Sequence, residues 1–191
     1  AHALVEHARV RGEQRAHGDR RHAHADRGVL EQPVDDADRV GAMVAHRGEW
    51  VFLTGNEIAI LLAGYAIGKL RAAGRLTPQR VIVKTDVTSA LIDTIAHANG
   101  IACTGDLLVG FKYIGEEINT LAAEGRMADF IFGCEESHGY LTGAYARDKD
   151  AASAAVWIAE YAAELKQHDR TLVDALDDVY AAYGYCHNYL T

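Results

Sequence analysis

The rhythm of apolar and polar positions changes repeatedly along this chain, and each change marks an element. The segment 40–53, VGAMVAHRGEWVFL, reads as two β-strands that turn at His46-Arg47-Gly48. Thr54-Gly55-Asn56-Glu57 offers a hydroxyl and, three residues on, a carboxylate. That is a capping box, so a helix is expected to start there and carry the apolar run Ile58 to Leu70. RVIVKT (80–85) is β-branched enough for a buried strand. Thr88 is expected to open a helix that Asn99-Gly100 ends, and IACT (101–104) to form a short strand. FKYIGEEINTLAAEG (111–125) reads as a loop entering a helix stopped by Gly125. DFIFGC (129–134) is a further strand, and Ala151 to Gln167 and Thr171 to Tyr183 are helices. Strands alternating with helices predict an α/β fold, with a mainly parallel sheet covered by helices on both faces. The two strands of 40–53 would precede it as a β-hairpin.

The pattern fails before Pro33. Residues 1–33 lack Ile, Phe, Tyr, Trp and Lys and hold five of the ten histidines, with neither a helical nor a strand period. Such a segment cannot bury enough apolar surface to offset ordering entropy. Two accounts of it stand: a disordered extension, or an out-of-frame translation that rejoins the reading frame near Asp36. His22-Ala-His24 is too thin a pair to argue a metal site.

Composition narrows the function classes. The net charge of −8 argues against non-specific nucleic-acid binding, which needs clustered cations. The longest apolar stretch, Ile58 to Ile67, is broken by Gly64 and falls short of the roughly 18 residues that read as a membrane span. Cys103, Cys134 and Cys186 are scattered as reduced thiols would be, which with no signal-like leader predicts a cytoplasmic protein.

The chemistry-bearing stretch is FGCEESHGYLTGAYARDKD (132–150), delivered by a strand to the edge of the sheet where ligands bind in such folds. If the backbone stays extended past the strand, Glu135 and Ser137 face one side, and Glu136 and His138 the other. A carboxylate and a hydroxyl two residues apart can bracket vicinal sugar hydroxyls. An acidic surface loop is the competing reading. Ser137 and His138 do not make a nucleophile elbow, because Glu135 stands where that turn needs glycine. Arg147 and Lys149 precede a helix start, where an anion such as phosphate is favoured, or else they pair with Asp148 and Asp150 on a solvated surface. In DDADRVG (35–41), Asp36 and Asp38 alternate as ligands of an oxygen-preferring cation such as Mg²⁺ would, with Arg39 beside them. GFKYIGEE (110–117) places Lys112 at a loop–helix junction, facing an anion or simply solvent. No Walker loop and no strand-following G-x-G-x-x-G occurs.

Taken in order, DDADRVG, VKTDVTS, GFKYIGEE and FGCEESHGYLTGAYARDKD resemble the α-D-phosphohexomutase superfamily over residues 35 to about 190. The resemblance implies the end of a second domain (34–55), a sugar-binding third domain (56–170), and a helix (171–191) leading to a C-terminal domain. It implies phosphoryl transfer on a hexose phosphate with Mg²⁺, a phosphoserine and a sugar bisphosphate intermediate. Glu135 and Ser137 would grip sugar hydroxyls. Lys149 would hold a phosphate or reacting oxygen, and Arg147, His138 and Lys112 would neighbour the substrate. Asp36 and Asp38 would be metal ligands, and Arg39 would lie beside the transferring phosphoryl. Two departures stand out. Val34 occupies the position of an expected aspartate, leaving the metal set one ligand short, and no serine precedes Ser89 to carry the phosphoryl group. A non-catalytic sugar-phosphate-binding module is the alternative, and a purely structural domain a third reading.

Overall fold

The computed structural model describes residues 8–11 and 38–186. Two sheets organise them. The first is antiparallel, in the order β1 (Ala8–Arg11), β2 (Gly41–His46), β3 (Glu49–Leu53). The β2–β3 turn falls at Arg47-Gly48, both at positive φ (49° and 87°), as tight hairpins require. β1 lies within the stretch that lacks any side-chain period. Its pairing with β2 runs through backbone amides, which need no such period. The remainder of 1–33 lies outside the described residues.

The second sheet has the order β5 (Ala102–Leu107), β4 (Val81–Thr85), β6 (Phe130–Glu135), β7 (Gly139–Leu141). β4 runs parallel to both β5 and β6; β7 alone is antiparallel, a hairpin partner of β6. The helices are α1 (Gly55–Ala72), α2 (Leu91–Ala98), α3 (Phe111–Ala123), α4 (Ala151–Lys166) and α5 (Leu172–Tyr183). Alternation along the buried strands assigns the faces. Val81 and Val83 of β4 and Leu141 of β7 pack with Phe111, Ile114, Ile118 and Leu121 of α3. Ile82 and Tyr140 turn the other way, into the larger core built from α1, α2, α4 and α5. The expected α/β architecture with helices on both faces is therefore present.

Local chemistry sets the ends. Thr54 and Glu57 form the expected capping box at α1, and Thr171 with Asp174 forms a second at α5. α2 starts at Leu91 rather than Thr88, because the Thr88 hydroxyl is bonded to that of Thr85 at 2.7 Å and holds a turn. β5 runs on to Leu107, three residues beyond the expected IACT strand, since Asp86 N–H bonds the Leu107 carbonyl and keeps the edge paired. α3 begins at Phe111 itself, so the expected loop lies before the segment rather than inside it. Among the described residues no helix is long and apolar enough to cross a membrane, and Cys103 and Cys134 are free thiols.

Candidate functional site

β7 changes the geometry expected after Glu135. The chain does not stay extended: Glu136, Ser137 and His138 form a three-residue turn, and Glu135 pairs directly with Gly139. His138 sits at φ 67°, the left-handed position that closes a three-residue hairpin loop, and His tolerates it better than most side chains. The strict two-sided alternation of 135–138 is thus replaced by a reversal. Hairpin closure wins because it pairs the β6 edge, which an extended chain would leave open.

Gly139 is the centre of the resulting cluster. A Cβ at that position would lie 2.7 Å from Lys149 Cδ and 3.0 Å from Glu135 Oε2, so both side chains pass over the bare Cα. Arg39 forms an antiparallel bridge with Gly139, and Val40 N–H donates to the His138 carbonyl at 3.2 Å, docking 38–40 along the hairpin. Lys149 Nζ donates to Asp38 Oδ2 at 3.0 Å and Asp148 Oδ1 at 3.4 Å. It also lies 5.8 Å from the centre of the Phe111 ring. Glu135 is only 4% exposed, and its Oε1 accepts from Gly110 N–H at 3.0 Å.

The electrostatics follow from this crowding. Burial pushes the Glu135 carboxyl above its usual range; the Lys149 charge, the Gly110 N–H and Arg39 pull it back only in part. For Lys149 burial acts downward, but the hydrogen bond to Asp38 and the charge of Asp148 outweigh it, so the ammonium titrates higher than an ordinary lysine. A buried acceptor and a cation thus flank one bare backbone position. A ligand carrying both hydroxyls and negative charge matches that pairing.

The other named residues are placed differently. Ser137, half-buried in the turn, makes no hydrogen bond to a described residue. His138 is buried; its Nδ1 lies 3.2 Å from the Val40 carbonyl, and its ring 5.8 Å from that of Phe52, which holds the hairpin to the antiparallel sheet. Arg147 is turned onto the other side of the loop, donating to Asn119 Oδ1 at 2.5 Å and to the Ala144 and Ala146 carbonyls at 2.9 and 3.0 Å. Lys112 lies over the Tyr113 ring at 4.7 Å. The loop–helix junction of 110–117 therefore meets Glu135 and Lys149 through Gly110 and Phe111, the two residues before Lys112. The glycine immediately preceding the helix was the available sequence signal. Glu136 faces away from the cluster, accepting from the Thr85 hydroxyl at 3.4 Å.

Asp36 and Val34 lie outside the described residues. Asp38 Oδ1 is buried without a hydrogen-bond partner, as a cation ligand would be. Its other oxygen is committed to Lys149, and no group of three or more His, Cys, Asp or Glu among the described residues is placed to hold a metal. One carboxylate is not a Mg²⁺ site, so the described residues do not by themselves fit the ion.

Sequence reasoning also missed Lys84. It is buried beneath the sheet's carboxyl end, with Nζ donating to Asp93 Oδ2 at 3.0 Å and to the Thr88 and Gly105 carbonyls at 3.3 Å each. A lysine inside the β-branched run VIVKT was the visible signal.

A mostly parallel sheet with a polar hairpin at its carboxyl end is the arrangement in which α/β domains bind their ligands. The comparisons make the class specific. The model of phosphoglucomutase/phosphomannomutase, alpha/beta/alpha domain III, matches residues 54–183, and the chain belongs to that family. It is 36% identical over 163 residues to a phosphoglucomutase of Staphylococcus aureus (strain bovine RF122 / ET3-1). It is 37% identical over 145 residues to one from Staphylococcus epidermidis (strain ATCC 12228 / FDA PCI 1200). These alignments cover 85% and 75% of the chain but 28% and 25% of the relatives, so the chain spans little more than a quarter of their length. Among solved structures, one from Thermus thermophilus assigned as a phosphomannomutase superposes with a TM-score of 0.62 at 26% identity, over 81% of this chain and 31% of that one. The open form of the Paramecium phosphoglucomutase parafusin shares the fold, with a TM-score of 0.56 at 21% identity, over 78% of this chain and 24% of that one.

Proposed function

We propose that this chain supplies the sugar-phosphate-gripping wall of a phosphohexomutase, one that interconverts glucose 1- and 6-phosphates or the mannose equivalents. The reading rests on one observation: Glu135, Lys149 and Arg39 meet around Gly139 at the carboxyl end of the sheet. Glu135 accepts hydroxyl protons of the sugar. Its Oε2 is left for that task once Oε1 takes the Gly110 N–H. Lys149 exchanges its carboxylate partners for the ligand's phosphate or reacting oxygen, and Arg39 lies beside the transferring phosphoryl. Ser137, at the turn, offers a hydroxyl donor or acceptor to the same sugar. Catalysis in such a site is positioning and neutralisation of charge.

The reaction would need a phosphoryl-carrying serine and a Mg²⁺ to neutralise phosphate charge; Asp36 and Asp38 would contribute oxygen ligands to the ion, one short of the expected set where Val34 stands. The hairpin of β2 and β3 precedes the matched stretch and would belong to the preceding, metal-loop domain. The alternative, a non-catalytic sugar-phosphate-binding module, keeps the same grip without turnover.

Calorimetric titration of the 191-residue chain with glucose 1-phosphate tests the grip. Weak binding is expected, lost in Glu135→Ala and Lys149→Ala but kept in Arg147→Gln. Identical titrations for the wild type and Glu135→Ala would sink the reading. A mutase assay with Mg²⁺ and a sugar bisphosphate should give no turnover from this chain alone.

A further inference from the structure

A second cavity, of about 520 Å³, opens at the opposite end of the sheet. Arg80 leads into β4, Phe130 begins β6 and Thr142 follows β7, so the strand ends bordering it are those farthest from Glu135. The volume is that of a small-ligand site.

The lining combines ring surface with positive charge. Tyr65 and Trp157 form one wall, with ring centres 6.1 Å apart at 70°. Both rings are braced from behind. Trp157 stacks on Phe132 at 6.3 Å and 20°, while Tyr65 stacks on Tyr161 at 4.7 Å and donates its hydroxyl to Glu164. Lys69 covers Tyr65 at 5.1 Å and is ion-paired with Glu164, and Phe130 is buried, so Trp157, the least buried of the lining rings, is the aromatic surface left for a ligand.

Three cations (Lys69, Arg75 and Arg80) face one lining carboxylate, Glu160, on a chain whose net charge is −8. Lys69 is neutralised by Glu164. Arg80 is oriented by donating to the Arg75 and Ala128 carbonyls. The Arg75 guanidinium has no hydrogen-bond or ion-pair partner among the described residues. An unpaired guanidinium beside an oriented one and a braced indole suits a ring that carries an anionic group.

We infer that this cavity binds an aromatic anion, such as a nucleoside monophosphate or an aryl carboxylate, at a site separate from the sugar-phosphate grip. Tryptophan fluorescence reads it directly. The chain has two tryptophans, and Trp50→Phe leaves Trp157 as the only reporter. In that background, adenosine 5′-monophosphate and 4-hydroxybenzoate, titrated to about 10 mM, distinguish the nucleotide from the carboxylate source. Adenosine and inorganic phosphate supply the ring alone and the charge alone.

Saturable quenching by at least one of the two anions is expected, with the ring alone and the charge alone each much weaker. Arg75→Gln should weaken that binding about tenfold, the loss of one charge-assisted hydrogen bond. Glu135→Ala should leave it unchanged, which separates this cavity from the sugar-phosphate site whichever way that site tests. No saturable response to either anion would overturn the inference. So would an affinity for adenosine equal to that of the anion that binds, unaltered affinity in Arg75→Gln, or loss of binding in Glu135→Ala.

Discussion

Lys84 and Lys149 are two sheltered lysines in one small domain, and their partners separate them. Lys84 is 3% exposed, and its three protons meet three protein acceptors: Asp93, Thr88 and Gly105. Lys149 pairs with Asp38 and Asp148, two carboxylates with substantial solvent access, above an aromatic ring and next to the buried Glu135. A lysine whose donors all end on fixed protein atoms serves the fold. One whose partners can return to water is free to take a ligand's oxygen instead. Charge type and burial alone would not tell them apart; the accessibility of the partner does.

The contrast makes stability predictions that descend in size. Lys84→Ala removes a buried cation from Asp93, 30% exposed, and from the Thr88 and Gly105 carbonyls, and should cost about 2–3 kcal/mol in urea unfolding. Lys149→Ala should cost less, about 1 kcal/mol, because the side chains of its ion-pair partners are 41% and 74% exposed. Equal losses in the two variants would erase the distinction drawn between them.

Gly55→Ala probes the frame that holds the hairpin. A Cβ there would fall 1.8 Å from the Glu136 carbonyl oxygen and 2.9 Å from His138 N, so backbone must move. The hairpin is also tied down at that point, with the Tyr140 hydroxyl donating to the Gly55 carbonyl at 2.9 Å. A loss of about 3 kcal/mol is expected, at the upper end of overpacking costs, read as a lowered thermal midpoint. A native midpoint in this variant would show the hairpin to be loosely seated.

At the far end of the scale, Arg47 holds φ 49° in the β2–β3 turn without the short polar side chain that suits it. Arg47→Asn should raise stability by about 0.5 kcal/mol, if the exposed contact to Asp174 at 3.7 Å is as weak as its solvation implies.

The helix caps supply a pH test away from the site. The Asp150 carboxyl is held below the usual aspartate range, first by the Tyr145 hydroxyl at 2.6 Å and then by the N–H groups of Ser153 and Ala152. Asp174 is lowered likewise, by the Thr171 backbone and hydroxyl. A depressed folded value means that folding favours the charged form. The stabilisation is therefore whole above the unfolded-chain value and is lost as pH falls through the folded one. Asp150→Asn keeps the cap acceptor but not the charge, so its midpoint should lie below the wild type near neutrality and converge with it under acid.

Much of the scaffold was legible before any coordinates. Thr54 and Glu57 announced the start of α1 because a capping box acts within one turn, and the Arg47-Gly48 reversal was equally local. Thr88 misled as a helix start because its hydroxyl is used by Thr85, a strand residue whose position depends on the sheet. Around the site, Glu135 and Lys149 stood out by type. Their meeting over Gly139 could not be read, because it needs β7 to fold back on β6. Arg147 and Lys149, two residues apart, looked equivalent in sequence; the loop turns Arg147 onto Asn119 instead.

By itself the sequence determined the alternation of elements, the caps, the tight turn and the family to which the chain belongs. Each depends on neighbours along the chain or on a pattern that survives without coordinates. Only the tertiary structure decided which charges meet. Asp38 reaches Lys149, Gly110 reaches Glu135, and Lys84 is enclosed by Asp93 and Gly105, in every case through contacts between separate elements. Such contacts are set by sheet order and hairpin closure, which the composition of a loop does not encode.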